Sequence, residues 1–167
     1  MRKDVRQRSL DHGLQHSLTG ADALTENDVI AHVCAWLEAG GYVIEQRLRT
    51  TQSGDDIIAM RSDGSVRLFI EAKGATSARA GSARYGTAFD QSQASVHVAE
   101  AAFRALRTLS LPDDSGLVRA GIALPDNELH RRLMQPALVA LKRLHVAIFW
   151  VDGDGDVTVD SPWPIPA

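Results

Sequence analysis

Apolar positions first recur with a helical period at Val29, Ile30, Val33 and Leu37, and this spacing predicts an amphipathic helix. Thr25 is a good N-cap, Glu26 and Asp28 suit the positive end of the helix dipole, and Gly40-Gly41 ends the run. Tyr42 to Leu48 then reads as a strand. Two apolar, β-branched runs follow, on either side of Ser62-Asp63-Gly64-Ser65, and Asp-Gly between such runs is a strong hairpin signal. With Asp63 and Gly64 as the central turn residues, the register sets Ile57 against Ile70, Ile58 against Phe69 and Ala59 against Leu68.

The pattern continues in longer blocks. Gly74 to Gly86 has no acidic residue and reads as a loop. Phe89 to Leu109 reads as an Ala-rich helix with a core stripe of Phe89, Val96, Ala99, Phe103 and Leu106. Leu117 to Leu124 reads as a strand closed by Pro125, and Asn127 to Leu144 as a helix that Pro136 must break or kink. Arg131, Arg132, Lys142 and Arg143 on that helix read as a solvated basic face. Val146 to Val151 is a buried strand, and Asp152-Gly153-Asp154-Gly155-Asp156 turns it into Val157-Thr158-Val159. The aspartate spacing of that turn suggests a calcium loop, but the glutamate such a loop requires is replaced by Trp163. The Pro-rich segment 161–167 reads as a tail lying along the surface, and residues 1–24 as an arm that could fray, form a short helix or touch phosphate. Residues 25–160 read as a single domain.

The hairpin carries the candidate chemistry. Its register places Asp56 opposite Glu71 on one face, and alternation adds Lys73 to that face. Two facing carboxylates on an apolar ribbon are destabilising unless a divalent cation, a shared proton or the Lys73 ammonium offsets them. The alternative is a solvated ion-pair cluster at the open end of the hairpin.

Gly54-x-Asp56-Ile57, with Ile70-Glu71-Ala72-Lys73 placing Glu71 fifteen positions after Asp56, resembles the Asp…(Asp/Glu)-x-Lys core of the restriction-endonuclease-like PD-(D/E)XK superfamily. Asp55 stands where that pattern has proline, and Asp56 is taken as the ligand because the register faces it to Glu71. The resemblance covers about residues 25–151. It implies an α/β fold with a mixed central sheet flanked by helices, and metal-dependent phosphodiester hydrolysis with DNA as the expected substrate. In that reading Asp56, Glu71 and the backbone carbonyl of Ala72 hold Mg²⁺ or Mn²⁺, and Lys73 positions or activates a water. Glu26 on the first helix is a secondary metal candidate, and its alternative role is a helix-start carboxylate favoured by the dipole. Gln93 on the helix after the Glu-x-Lys strand would orient the lysine or the phosphate, unless it is an ordinary solvated polar residue. Arg79, Arg84 and Tyr85 would contact the nucleic acid. Lys73→Ala is then expected to abolish cleavage while leaving fold and metal binding largely intact.

Composition sets limits on these readings. The chain has 167 residues, 44% hydrophobic and 23% charged, which is ordinary globular material. No apolar run reaches the ~18 residues of a membrane helix, and no membrane partner is expected. The single cysteine, Cys34, excludes an internal disulfide and leads to a cytoplasmic expectation. The net charge of −3 argues against indiscriminate coating of nucleic acid, so a nuclease would need its basic residues gathered at the cleft. It equally suits the competing reading, a non-catalytic module that binds nucleic acid or protein on the same fold. Pairing into a homodimer is compatible with either.

Overall fold

The computed structural model describes residues 20–48, 54–77 and 87–165. Its six strands form one sheet in sequential order: β1 (Tyr42–Arg47), β2 (Ile57–Arg61), β3 (Arg67–Ala72), β4 (Val118–Pro125), β5 (Val146–Val151) and β6 (Val157–Asp160). The pairs β1–β2, β2–β3 and β5–β6 are antiparallel, while β3–β4 and β4–β5 are parallel. Helix α1 (Glu26–Ala39) precedes β1, and α2 (Gln91–Leu109) makes the crossover from β3 to β4. The crossover from β4 to β5 is α3 (Glu128–Met134), a 3-10 turn at Gln135–Ala137 and α4 (Leu138–Arg143). The fold is therefore α/β, with a mixed central sheet covered by helices on both faces. Pro136 breaks the helix, as its missing N–H requires.

Alternation along each strand sorts the core into two layers. Ile57, Ala59, Leu68, Ile70, Ala123 and Phe149 face α1, which contributes Val29, Ile30, Val33, Cys34 and Leu37. Ala120, Ile122, Leu124, Ile148 and Trp150 face α2 and the two short helices. Gly121 lies where a Cβ would press into the Phe149 ring, so its bare backbone lets that ring lie on the sheet. Trp36 of α1 meets the same ring edge-on at 5.9 Å.

The α1 stripe and the Thr25 N-cap match the sequence pattern, with a capping box closed by Asp28. The hairpin register is also as expected, from Ile57↔Ile70 to Met60↔Arg67. Its turn is wider than the expected two-residue form. Arg61 N donates to Val66 O at 2.8 Å and Gly64 N to Arg61 O at 2.8 Å, giving a four-residue loop with Gly64 left-handed at φ 73°. Extending the loop symmetrically leaves the register unchanged.

The face that α2 buries is opposite to expectation. Ala94, Val98, Ala101, Ala105 and Thr108 are buried, whereas Val96 and Phe103 are well exposed and Leu106 is partly so. The stripe of small side chains lets the helix axis approach the sheet closely, which the larger residues would prevent. The basic face expected on the helix before β5 is also only partly solvated. Arg131 pairs with Asp126 at 2.7 and 2.8 Å and stacks over Trp150 at 4.0 Å. The C-terminal segment does not merely lie on the surface, because Trp163 and Ile165 pack against the α1 layer of the core.

Candidate functional site

Three segments converge at the carboxyl end of β3. The chain beyond Lys73 runs beside the start of α1, where Ala75 N donates to Leu24 O at 2.8 Å and Thr76 bridges to Thr25. Gly74 makes this approach possible. A Cβ there would collide with the Glu26 amide nitrogen and come within 2.6 Å of the Thr25 carbonyl carbon. The same segment then anchors the approach to α2, with Phe89 N donating to Ala75 O at 2.9 Å. One short stretch of backbone thus brings α1, β3 and α2 to a common point.

Glu71 and Lys73 leave β3 on the α2 side, and Asp56 enters from the start of β2. The antiparallel ladder stops at Ile57, one residue short of the expected Asp56–Glu71 pair. Asp56 bends instead, and its Oδ2 accepts the Ala72 N–H at 2.8 Å. Lys73 Nζ donates to Glu71 Oε1 at 2.7 Å. From α2, Arg104 Nε lies 3.2 Å from the same oxygen, and Arg104 also donates to the Gly54 carbonyl at 3.1 Å. Glu100 Oε2 lies 3.6 Å from Lys73 Nζ but is mostly exposed.

Burial separates this arrangement from a solvated ion-pair cluster. Asp56 is 8% exposed and Glu71 6% exposed. Glu71 Oε2 is buried with no hydrogen-bond partner among the described residues. Burial pushes the Asp56 carboxyl above its usual range; the Ala72 N–H opposes this, and the Glu26 charge reinforces it. Burial likewise raises Glu71, against its hydrogen bond from Lys73 and with the repulsion of Asp56. Burial works against the Lys73 ammonium, but its hydrogen bond and the charges of Glu71, Glu26 and Asp56 outweigh it. Lys73 is held above the usual lysine range. In this state it is a charged donor and not a base.

The other sequence-predicted residues fall in different places. Glu26 is the first residue of α1, close enough for its charge to act on both Asp56 and Lys73. Gln93 closes the capping box of α2: its backbone N–H donates to Asp90 Oδ1 at 2.9 Å, and its Oε1 accepts the Asp90 N–H at 3.2 Å. Arg79, Arg84 and Tyr85 lie outside the described residues, as does most of the N-terminal arm. Among the described residues there is no group of three or more His, Cys, Asp or Glu that could hold a metal ion. A cation here would have two carboxylates, with backbone and water completing its shell. That donor set suits Mg²⁺, which usually keeps several waters. The orphaned Glu71 Oε2 fits the same demand.

Arg104 is the site residue that the sequence pattern did not single out. It lies three positions before Arg107 on an Ala-rich helix, and only the packing of α2 turns it toward Glu71. His97, also on α2, is near enough to Lys73 that the ammonium helps hold its imidazole neutral, after burial. Its ring meets Phe89 edge-on at 4.5 Å. A cavity of about 500 Å³ opens between α1 and β1, lined by Asn27, Ile30, Arg47 and Leu48. Leu48, on the wall of this cavity, donates its backbone N–H to the Asp56 carbonyl at 2.8 Å. A cavity of about 340 Å³ near Val146 and Pro162 lies at the start of β5.

The fold and this buried charge cluster define an α/β domain with a two-carboxylate, two-cation site at a strand's carboxyl end. No family model and no curated protein matches the chain. Among solved structures it is similar to the YaeQ protein from Xanthomonas axonopodis pv. citri, at 12% identity and a TM-score of 0.37, over 78% of this chain and 58% of that one. It is also similar to SfsA from Pyrococcus furiosus, solved in complex with Ca²⁺, at 18% identity and a TM-score of 0.32, over 81% of this chain and 59% of that one. The chain thus spans about three fifths of either protein. No helix among the described residues is long and apolar enough to cross a membrane.

Proposed function

We propose that the protein is a metal-dependent phosphodiesterase acting on nucleic acid, with DNA the expected substrate and Mg²⁺ or Mn²⁺ the cofactor. The observation that carries this reading is the burial of two carboxylates, Asp56 and Glu71, near enough for their charges to repel, with Glu71 Oε2 lacking a partner among the described residues and the Lys73 ammonium bonded to Glu71 Oε1. Asp56 and Glu71, with the Ala72 carbonyl, would hold the cation, and Glu26, whose charge acts on Asp56 and Lys73, would be a secondary ligand. A divalent cation supplies a water of lowered pKa and neutralises charge on a phosphate.

The chain's own residues do the remaining work. The Lys73 ammonium orients a water or a phosphate oxygen by hydrogen bonding and stabilises charge that develops there. The Ala72 N–H fixes the Asp56 carboxylate, so one of its oxygens is committed and its direction is set. The apolar layers beneath the site exclude bulk water and strengthen each of these interactions. Arg47, lining the cavity between α1 and β1, together with Arg79, Arg84 and Tyr85, would contact the nucleic-acid backbone or bases.

A second reading is favoured by a specific observation. Lys73 and Arg104 already sit on Glu71, so that carboxylate has its counter-charges without a metal, as in a non-catalytic binding module. Incubation with supercoiled plasmid, branched DNA and single strands, in Mg²⁺, Mn²⁺ or EDTA, separates the two. Metal-dependent cleavage that disappears in Asp56→Asn is the expected result. Cleavage that persists in EDTA or in Asp56→Asn would refute the proposed site, and binding without cleavage would favour the module.

A further inference from the structure

The charges of the site suggest how a cation and an anion would enter it. Asp56 and Glu71 contribute two negative charges, and Lys73 and Arg104 two positive ones. These four side chains therefore neutralise one another before anything binds. Glu26 adds a negative charge that acts on both Asp56 and Lys73 from the start of α1, and the largely solvated Glu100 adds another beside Lys73. A divalent cation placed on the two carboxylates would leave these four side chains with two excess positive charges, offset only in part by Glu26 and the solvated Glu100. Such an excess is costly unless an anion arrives with the metal or one cation moves away.

The two cations differ in their freedom to move. The Lys73 side chain is 11% exposed and bonded to Glu71 at 2.7 Å. The Arg104 side chain is 35% exposed, stands 3.2 Å from the same oxygen, and among the described residues otherwise donates only to the Gly54 carbonyl. Its guanidinium fork also matches the oxygens of a phosphate better than an ammonium does.

We propose that Arg104 is a displaceable counter-ion. It holds Glu71 while the site is empty and transfers to a phosphate oxygen when substrate arrives, so that divalent cation and phosphate bind interdependently. This inference rests on the metal-site reading above and adds to it an order of events. The coupling is reciprocal, because each ligand must strengthen the other by the same factor.

The test is a Mn²⁺ titration followed by electron paramagnetic resonance of the free ion, with and without thymidine 5′-phosphate. Parallel titrations without protein subtract Mn²⁺ bound by the nucleotide alone. In the wild type, the nucleotide is expected to tighten Mn²⁺ binding by about tenfold, within the usual range of coupling between sites. In Arg104→Gln, Mn²⁺ alone is expected to bind about tenfold more tightly than in the wild type, with the effect of the nucleotide largely lost. Arg104→Lys keeps the charge without the fork. It is expected to bind Mn²⁺ alone as weakly as the wild type, with reduced coupling, and it decides the matter should Arg104→Gln melt before the assay temperature. Unchanged Mn²⁺ affinity in Arg104→Gln, or unchanged coupling in Arg104→Lys, overturns the proposal. If Asp56→Asn still abolishes Mn²⁺ binding in that case, the metal site stands without it. No Mn²⁺ binding by the wild type, with or without nucleotide, overturns both.

Discussion

Replacing Lys73 by methionine keeps the aliphatic stem and removes the ammonium from a carboxylate whose side chain is 5% exposed. Removing one member of a buried ion pair costs about 3–5 kcal/mol, because the other charge is left uncompensated. Arg104 remains 3.2 Å from the same oxygen, which brings the expected loss to about 2–3 kcal/mol. The exposed Glu100, 3.6 Å from Lys73, adds little. For a chain of this length the loss corresponds to a fall in Tm of about 5–10 °C. Urea unfolding at pH 7 of the wild type, Lys73→Met, Glu71→Gln and the double variant measures it. Glu71→Gln should restore most of the stability lost in Lys73→Met, since a neutral amide needs no counter-charge. A Lys73→Met protein within about 0.5 kcal/mol of the wild type, or no recovery in the double variant, would refute the reasoning. The expectation that Lys73→Ala leaves the fold largely intact thus changes once the burial of its partner is known. Lost cleavage can be assigned to the ammonium only in a variant shown to be folded.

Three further outcomes are expected. His130 is 1% exposed, and burial pushes its imidazole down to about 4, so the fold favours the neutral ring. Its contribution is complete above the unfolded value of 6.5 and is lost as pH falls toward about 4, amounting to about 3 kcal/mol. His130→Gln should flatten the acid limb of a stability profile, and an unchanged limb would place the titration elsewhere. Gly74→Ala forces a methyl group into the backbone at the start of α1 and should cost at least about 1–3 kcal/mol by overpacking, read by thermal melting. Burial raises the Asp56 carboxyl, so its charged form opposes folding increasingly as pH rises through its folded value. In EDTA at pH 7, Asp56→Asn should therefore melt at or above the wild-type temperature, and added Mn²⁺ should stabilise the wild type alone.

The elements whose signals are local were legible in the sequence. Thr25 and Gly40 bracket α1 because capping and chain reversal depend on a few neighbouring residues. The pairing of Ile57 with Ile70 followed from matching two apolar runs around Asp63-Gly64, and it tolerated an error in the turn because the loop widened symmetrically. The buried face of α2 was not legible. Size suggested Val96 and Phe103, but the sheet accepted Ala94, Val98, Ala101 and Ala105, since close approach of the helix to the sheet favours small side chains. Arg104 was missed for the same reason: its direction depends on which helix face is buried.

By itself, the order of apolar and polar residues determined the α/β class, the hairpin register and the gathering of Asp56, Glu71 and Lys73 at one end of a strand. Those follow from periodicity and chain connectivity over a few tens of residues. Only the tertiary structure decided that the three charges are buried, that Arg104 joins them, that Asp56 turns to the Ala72 amide and that Gln93 caps its own helix. Burial and long-range ion pairing arise when distant segments meet, and here they meet because the backbone at Gly74 can press against the start of α1.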